Sequence, residues 1–114
     1  MSELRRTPLF LRHVAAGARM VDFAGWDMPV QYTSIVQEHH AVRTAAGLFD
    51  IAHMGRLVFS GPEAADFLDR LLTNDVPAIE EGRVRYALVC DQSGGILDDV
   101  LVYRFAEDYL LVVN

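Results

Sequence analysis

The chain has 114 residues, 52% hydrophobic and 23% charged, with a mean hydropathy of +0.17. That is room for one small domain or part of a larger one, and it excludes a disordered polymer. Charge is uneven, with six Arg against five acids in residues 1–57 and four Arg against eleven acids in residues 58–114. The acidic second half argues against nucleic acid as a partner, and the absence of Lys excludes Schiff-base and P-loop lysine chemistry. Cys90 stands alone, so an internal disulfide and a Cys-based zinc site are both excluded and a reducing compartment is expected.

The first element expected is a short helix from Thr7 to Ala15, with Thr7 as N-cap, Pro8 at the first helical position and Gly17 as the stop. Ala18 to Phe23 reads as extended. Gly25-Trp26-Asp27-Met28-Pro29 reads as a loop, because a residue before Pro avoids the helical region. Ser34-Ile35-Val36-Gln37 fits a capping box opening a helix to about Ala46, with Gly47 as its stop. Met54 to Ser60 reads as a strand, and Gly61-Pro62 opens a helix to about Leu72 whose apolar residues recur at helical spacing.

Thr73 to Gly82 is a loop and Arg83 to Cys90 a strand. Asp91-Gln92-Ser93-Gly94-Gly95 is a turn, Ile96 to Phe105 a strand and Tyr109 to Val113 another. Strands joined by short turns are antiparallel, so the second half is a β-meander. With the short helices in front of it, the class is α+β. The chain stops at Asn114 directly after an apolar strand, which reads as the front part of a larger fold with that last strand exposed.

No uncharged stretch approaches the roughly 20 residues of a membrane-spanning helix. The start of the chain, carrying Glu3, Arg5, Arg6 and Arg12, lacks a secretory pattern. The expectation is a protein with no membrane partner.

Chemistry is most concentrated in Ile96-Leu97-Asp98-Asp99-Val100-Leu101-Val102-Tyr103, where two carboxylates interrupt an apolar strand. Alternation places Asp98 with Ile96, Val100 and Val102, and Asp99 with Leu97, Leu101, Tyr103 and Phe105. The two acids point apart and cannot share a proton. One of them lies among apolar neighbours on the buried face, where a carboxylate without partners costs several kcal/mol. Each acid reads two ways, as a hydrogen-bond acceptor for the Ser93-Gly94-Gly95 turn or an Arg, or as a site residue. His53 and Met54 also read two ways, as a proton-transfer group beside a ring-packing thioether or as loop and core residues. His39 and His40 diverge by about 100° on a helix and cannot chelate one metal together. From the residues alone, Trp26 and Tyr86 both read as core aromatics rather than ligand platforms.

Four blocks carry a resemblance. They are Gly17 to Pro29 (GARMVDFAGWDMP), Glu38 to Arg43 (EHHAVR), Gly47 to Gly55 (GLFDIAHMG) and Gly94 to Asp99 (GGILDD). In this order and spacing they resemble the N-terminal part of the glycine cleavage system T-protein family, the aminomethyltransferases. The resemblance implies that residues 1–114 are the N-terminal portion of the first, folate-binding domain of a three-domain protein. It implies a reaction in which the aminomethyl group on the lipoyl arm of H-protein is transferred to tetrahydrofolate with release of ammonia. It places Asp99 as the functional acid and Met54, Val58, Tyr86, Tyr103 and Asn114, with Asp99, along the folate pocket. It implies tetrahydrofolate and lipoylated H-protein as partners, no metal, and a bacterial cytoplasmic or, in a eukaryote, mitochondrial location.

Three other readings stay open at this point. One is the folate domain of a dimethylglycine or sarcosine dehydrogenase, against which the start at Met1 leaves no room for a preceding flavin domain. Another is a non-catalytic folate-binding factor in iron–sulfur protein maintenance. The last is a stand-alone interaction module that pairs through its exposed final strand.

Overall fold

The computed structural model describes residues 3–114, which form two compact units meeting between His53 and Met54. The fold is α+β, and every paired strand is antiparallel.

The first unit holds α1 (Phe10–Ala15), β1 (Arg19–Phe23), β2 (Trp26–Gln31) and α2 (Ile35–Thr44). α1 starts later than expected. Its N-cap is Leu9, without a side-chain cap, because the Thr7 hydroxyl donates instead to Asp50. It stops as expected at Gly17, where φ of +78° lets the Gly17 and Ala18 amides return to the carbonyls of Val14 and His13.

The expected loop at 25–29 is in fact β2. Ala24 and Gly25 adopt φ of +50° and +82°, the pair of left-handed residues that closes a two-residue hairpin without splaying its strands. Pro29 is tolerated because it lies in a two-stranded ribbon, next to the register irregularity at Arg19/Met20.

Ser34 caps α2 by accepting from the Gln37 amide. The reciprocal acidic contact comes from Glu38, whose Oε1 accepts the amides of Tyr32 and Thr33 at 2.7 Å each. α2 ends at Thr44, two residues before the expected limit. Gly47 is needed for close approach, since a Cβ there would collide with the Val42 side chain.

The second unit is a four-stranded sheet in the order β3 (Gly55–Phe59), β6 (Asp108–Val113), β5 (Ile96–Phe105), β4 (Val84–Cys90), with α3 (Ala64–Leu71) between β3 and β4 in sequence. β4, β5 and β6 are the meander. β6 is flanked by β3 and β5, so the expected exposed final strand is an interior one, and pairing through it is not available. β4 is an edge, but its outward groups are engaged. Thr73 exchanges hydrogen bonds with the Leu88 backbone, and Asn74 donates to the Tyr86 carbonyl.

α3 buries Ala64 and Leu68 against one sheet face. Leu72, Val76 and Ile79 from the following loop, Ala87, Val100, Val102, Tyr109 and Leu111 complete that core. Helical spacing on α3 and alternation on β5 and β6 therefore meet on the same side. Among the described residues no helix is long and apolar enough to cross a membrane.

Candidate functional site

In an antiparallel pair, directly opposed residues share a face. The core face of the second unit carries Leu57, Leu111, Val102 and Arg85 in one row. The other face therefore carries Val58, Leu110, Tyr103 and Val84 in one row, and Arg56, Val112, Leu101 and Tyr86 in the next. Asp99, opposite Leu88, belongs to that second face. Asn114 continues the alternation of Leu110 and Val112, and its side chain bonds Asp99. Five of the six positions implied by the resemblance thus lie on the face turned away from the hydrophobic core, and Met54 sits in the bend that leads into β3. Val58 is 69% exposed and Tyr86 59%, which overturns the core reading of Tyr86, and the Tyr103 and Phe105 rings stack with centroids 6.1 Å apart and planes at 1°.

Three of the six are joined by hydrogen bonds. The Tyr86 hydroxyl donates to Asp99 Oδ2 at 3.3 Å, and Asn114 Nδ2 donates to Asp99 Oδ1 at 3.0 Å. Tyr86 reaches Asp99 diagonally, since its direct partner is Leu101. Val58 and Tyr103 share the face without hydrogen bonds to this cluster. The Tyr86 phenol is held above its ordinary pKa, first by loss of solvent and then by the charge and hydrogen bond of Asp99, so it remains a donor.

One expectation about the acids is corrected, and one open question is answered. Asp98 and Asp99 do not simply diverge. Asn114 Nδ2 also lies 2.9 Å from Asp98 Oδ1, so both carboxylates converge on one amide nitrogen. The cause is a β-bulge. Val89 faces Asp98 but Cys90 faces Ile96, which leaves Leu97 as an extra residue immediately before the two acids. The bulge also removes Leu97 from strict alternation with Asp99. Secondly, the acid nearer the core is Asp98, half-buried, while Asp99 is exposed on the open face. The Ser93-Gly94-Gly95 turn does not use either acid, because Asp91 Oδ1 accepts the amides of Ser93 and Gly95.

The arrangement is an apolar floor of valine, leucine and tyrosine side chains with a carboxylate, a phenol and a carboxamide at one end. Apolar lining with a few convergent polar groups suits a flat ligand whose edge carries N–H donors.

The first unit holds a second polar cluster that the sequence reading did not single out. Asp50 Oδ2 accepts the Thr7 hydroxyl at 2.7 Å and lies 2.7 Å from His13 Nε2, while its Oδ1 accepts the Ala52 amide. His13 Nδ1 is 2.6 Å from the Tyr32 hydroxyl. The side chains of His13 and Asp50 are 8% and 2% exposed. Burial raises the proton affinity of Asp50, but the hydrogen bonds from Thr7, His13 and Ala52 outweigh it and hold the carboxyl below its ordinary range. The phenol of Tyr32 is raised by burial, with Asp50 and Glu38 adding to the effect. Thr7, His13, Tyr32 and Asp50 bond one another, which suits a staple between α1, the end of β2 and the 47–53 segment. The weak sequence signal was a Thr just before, and a His within, the short helix α1.

His53 packs edge-on against Phe23 and Trp26, and its Nδ1 is buried without a partner. That favours the packing reading of both His53 and Trp26. His39 and His40 are exposed, and no group of three metal-ligating side chains gathers among the described residues.

Residues 9–114 match the family model described as the GCVT N-terminal domain. The chain is 60% identical over 111 residues to a protein named aminomethyltransferase from Rubrobacter xylanophilus, covering 97% of this chain and 30% of that protein. It is 55% identical over 115 residues to the aminomethyltransferase of Desulforamulus reducens, covering 100% of this chain and 32% of that one. The structure superposes on the crystal structure of glycine cleavage system aminomethyltransferase T from Bartonella henselae with a TM-score of 0.90 at 41% identity. That superposition covers 97% of this chain and 31% of that one. The chain thus spans about 30% of the length of the curated relatives it matches. With the match running from Leu9 to Asn114 and the fold agreeing along it, the chain belongs to the GCVT N-terminal domain family.

Proposed function

We propose that the open sheet face of the second unit is one wall of a tetrahydrofolate pocket, and that the chain serves as the N-terminal portion of the folate-binding domain in a three-domain aminomethyltransferase. The observation that carries this reading is that Val58, Tyr86, Asp99, Tyr103 and Asn114 share one face, with Asp99 tied to Tyr86 and Asn114. In the proposed reaction, the methylene carbon of the aminomethyl-lipoyl arm of H-protein forms bonds to two folate nitrogens. Its bonds to sulfur and to the amine break. The two folate N–H protons end on the sulfur and on the departing ammonia, and the product is 5,10-methylenetetrahydrofolate.

Asp99 stands where an exposed carboxylate accepts a ring N–H, orients that nitrogen and supports the positive charge developing at it. Tyr86 and Asn114 hold the carboxylate in place by hydrogen bonds to its two oxygens. Tyr103, Val58 and Met54 supply flat, polarisable and apolar surface. Neither a metal nor a redox step is needed to balance this reaction. A bacterial cytoplasmic setting fits the relatives, and lipoylated H-protein is the proposed donor partner.

Calorimetric titration of the full-length protein with tetrahydrofolate, followed by a turnover assay with aminomethylated H-protein, tests the reading. Binding with ammonia release supports the transferase. Binding without turnover supports a folate-binding module instead. Absence of binding overturns both.

A further inference from the structure

We infer that Asp98 is a positioning residue for the Asp99 carboxylate and that it acts through Asn114; this rests on the role of Asp99 proposed above. Asp98 grips Asn114 twice. Its Oδ2 accepts the Asn114 backbone N–H at 3.2 Å, and its Oδ1 accepts from the side-chain Nδ2 at 2.9 Å. Asp98 Oδ1 also accepts the backbone N–H of Asp99 at 3.0 Å. The Asn114 Nδ2 group, with two hydrogens, faces three acceptors, namely Asp98 Oδ1, Asp99 Oδ1 and the Asp99 carbonyl. The carboxamide therefore has one workable orientation, with its NH2 side toward the acids.

Removing the acceptors of residue 98 releases the backbone N–H groups of Asn114 and Asp99 and takes away one of the three acceptors of the Asn114 NH2 group. The strand end that carries Asn114 then loses its anchor, and the Asp99 carboxylate loses a fixed partner. No counter-charge offers a competing explanation. Among the described residues the ion pairs are Arg6–Asp27, His13–Asp50 and Arg83–Glu80, and neither Asp98 nor Asp99 pairs with a cation. The bulge at Leu97 supplies the local geometry. It turns the half-buried Asp98, nominally a core-face position, toward the strand end where Asn114 lies. Asp98 thus reaches a site on the opposite face without touching a ligand there.

The test uses Asp98→Ala and Asp98→Asn in the full-length protein, with the asparagine side chains labelled with nitrogen-15 and measured well below the melting temperature. In Asp98→Ala the Asn114 side-chain amide resonances are expected to move to free-amide positions, and tetrahydrofolate affinity to fall about tenfold. Asp98→Asn keeps one acceptor oxygen and falls between, which also serves if the alanine variant does not fold. Resonances of Asn114 that stay in place in both variants overturn the inference, as does a shift of those resonances with unchanged affinity. Wild-type protein that fails to bind tetrahydrofolate removes the functional reading alone. The resonance shift then still decides whether Asp98 orients Asn114.

Discussion

The two units use an aspartate in opposite ways. In the first, Asp50 is almost fully enclosed, and its two oxygens are taken up by Thr7, His13 and Ala52. In the second, Asp99 stands on an exposed face with one phenol and one carboxamide as side-chain partners and no cation. A buried carboxylate saturated by donors contributes to holding the chain together. An exposed one braced on one side keeps acceptor capacity for something that arrives. Burial alone would have selected Asp50 as the functional acid. The role proposed for Asp99 rests instead on unspent hydrogen-bonding capacity next to an apolar floor.

Substitution at the two acids should separate these roles. Asp50→Ala leaves His13, the Thr7 hydroxyl and the Ala52 amide without their shared partner, and a loss of about 3 kcal/mol of unfolding free energy is expected by denaturant titration. A loss below about 1 kcal/mol would erase the distinction between the two acids. Asp99→Asn keeps the shape and removes the charge. In the full-length protein, turnover with aminomethylated H-protein should fall roughly a hundredfold or more while stability changes by less than about 0.5 kcal/mol. Normal turnover in that variant would end the role assigned to Asp99.

Acid titration sharpens the same contrast. The folded pKa of Asp50 lies below its ordinary value of 3.8. The unfolded chain therefore binds the proton more tightly, and stability rises with pH across the interval between the two values. The Asp50 contribution is fully present above the unfolded pKa and is lost as pH falls through the folded one. Asp50→Asn should flatten the melting temperature against pH below about pH 4. The smallest effect concerns the hairpin turn of the first unit. Ala24 holds φ at +50°, which Gly adopts without strain, so Ala24→Gly should be neutral or stabilising by up to about 1 kcal/mol in thermal melts.

The second unit was the more legible of the two. β5 runs over the same residues, Ile96 to Phe105, that its β-branched and apolar run indicates, and β4 and β6 differ from expectation by one residue each. Alternation was enough to assign Asp99, Leu101 and Tyr103 to one face. It failed at Leu97, because a bulge is a local exception that a period of two does not contain. It also left the destination of β6 open, since only β3 coming from earlier in the chain makes it an interior strand.

The first unit hid more. β2 was masked by Pro29 and by a turn whose first left-handed residue is Ala rather than Asn or Gly. The His13 cluster joins Thr7, Tyr32 and Asp50 across separations of 19 to 43 residues, which no local pattern encodes. For the candidate site, the strand register brought Tyr86 and Asn114 to Asp99. The bond from Asn114 to Asp98 depended on side-chain geometry invisible to periodicity.

The most direct measurement is amide chemical-shift mapping by NMR as tetrahydrofolate is added to the full-length protein. The account expects saturable shifts at Met54, Val58, Tyr86, Asp99, Tyr103 and Asn114, with the core-face residues Ala87, Val100 and Leu111 and the His13 cluster largely unmoved. Saturating ligand that leaves those six positions in place, or that moves the His13 cluster instead, would contradict it.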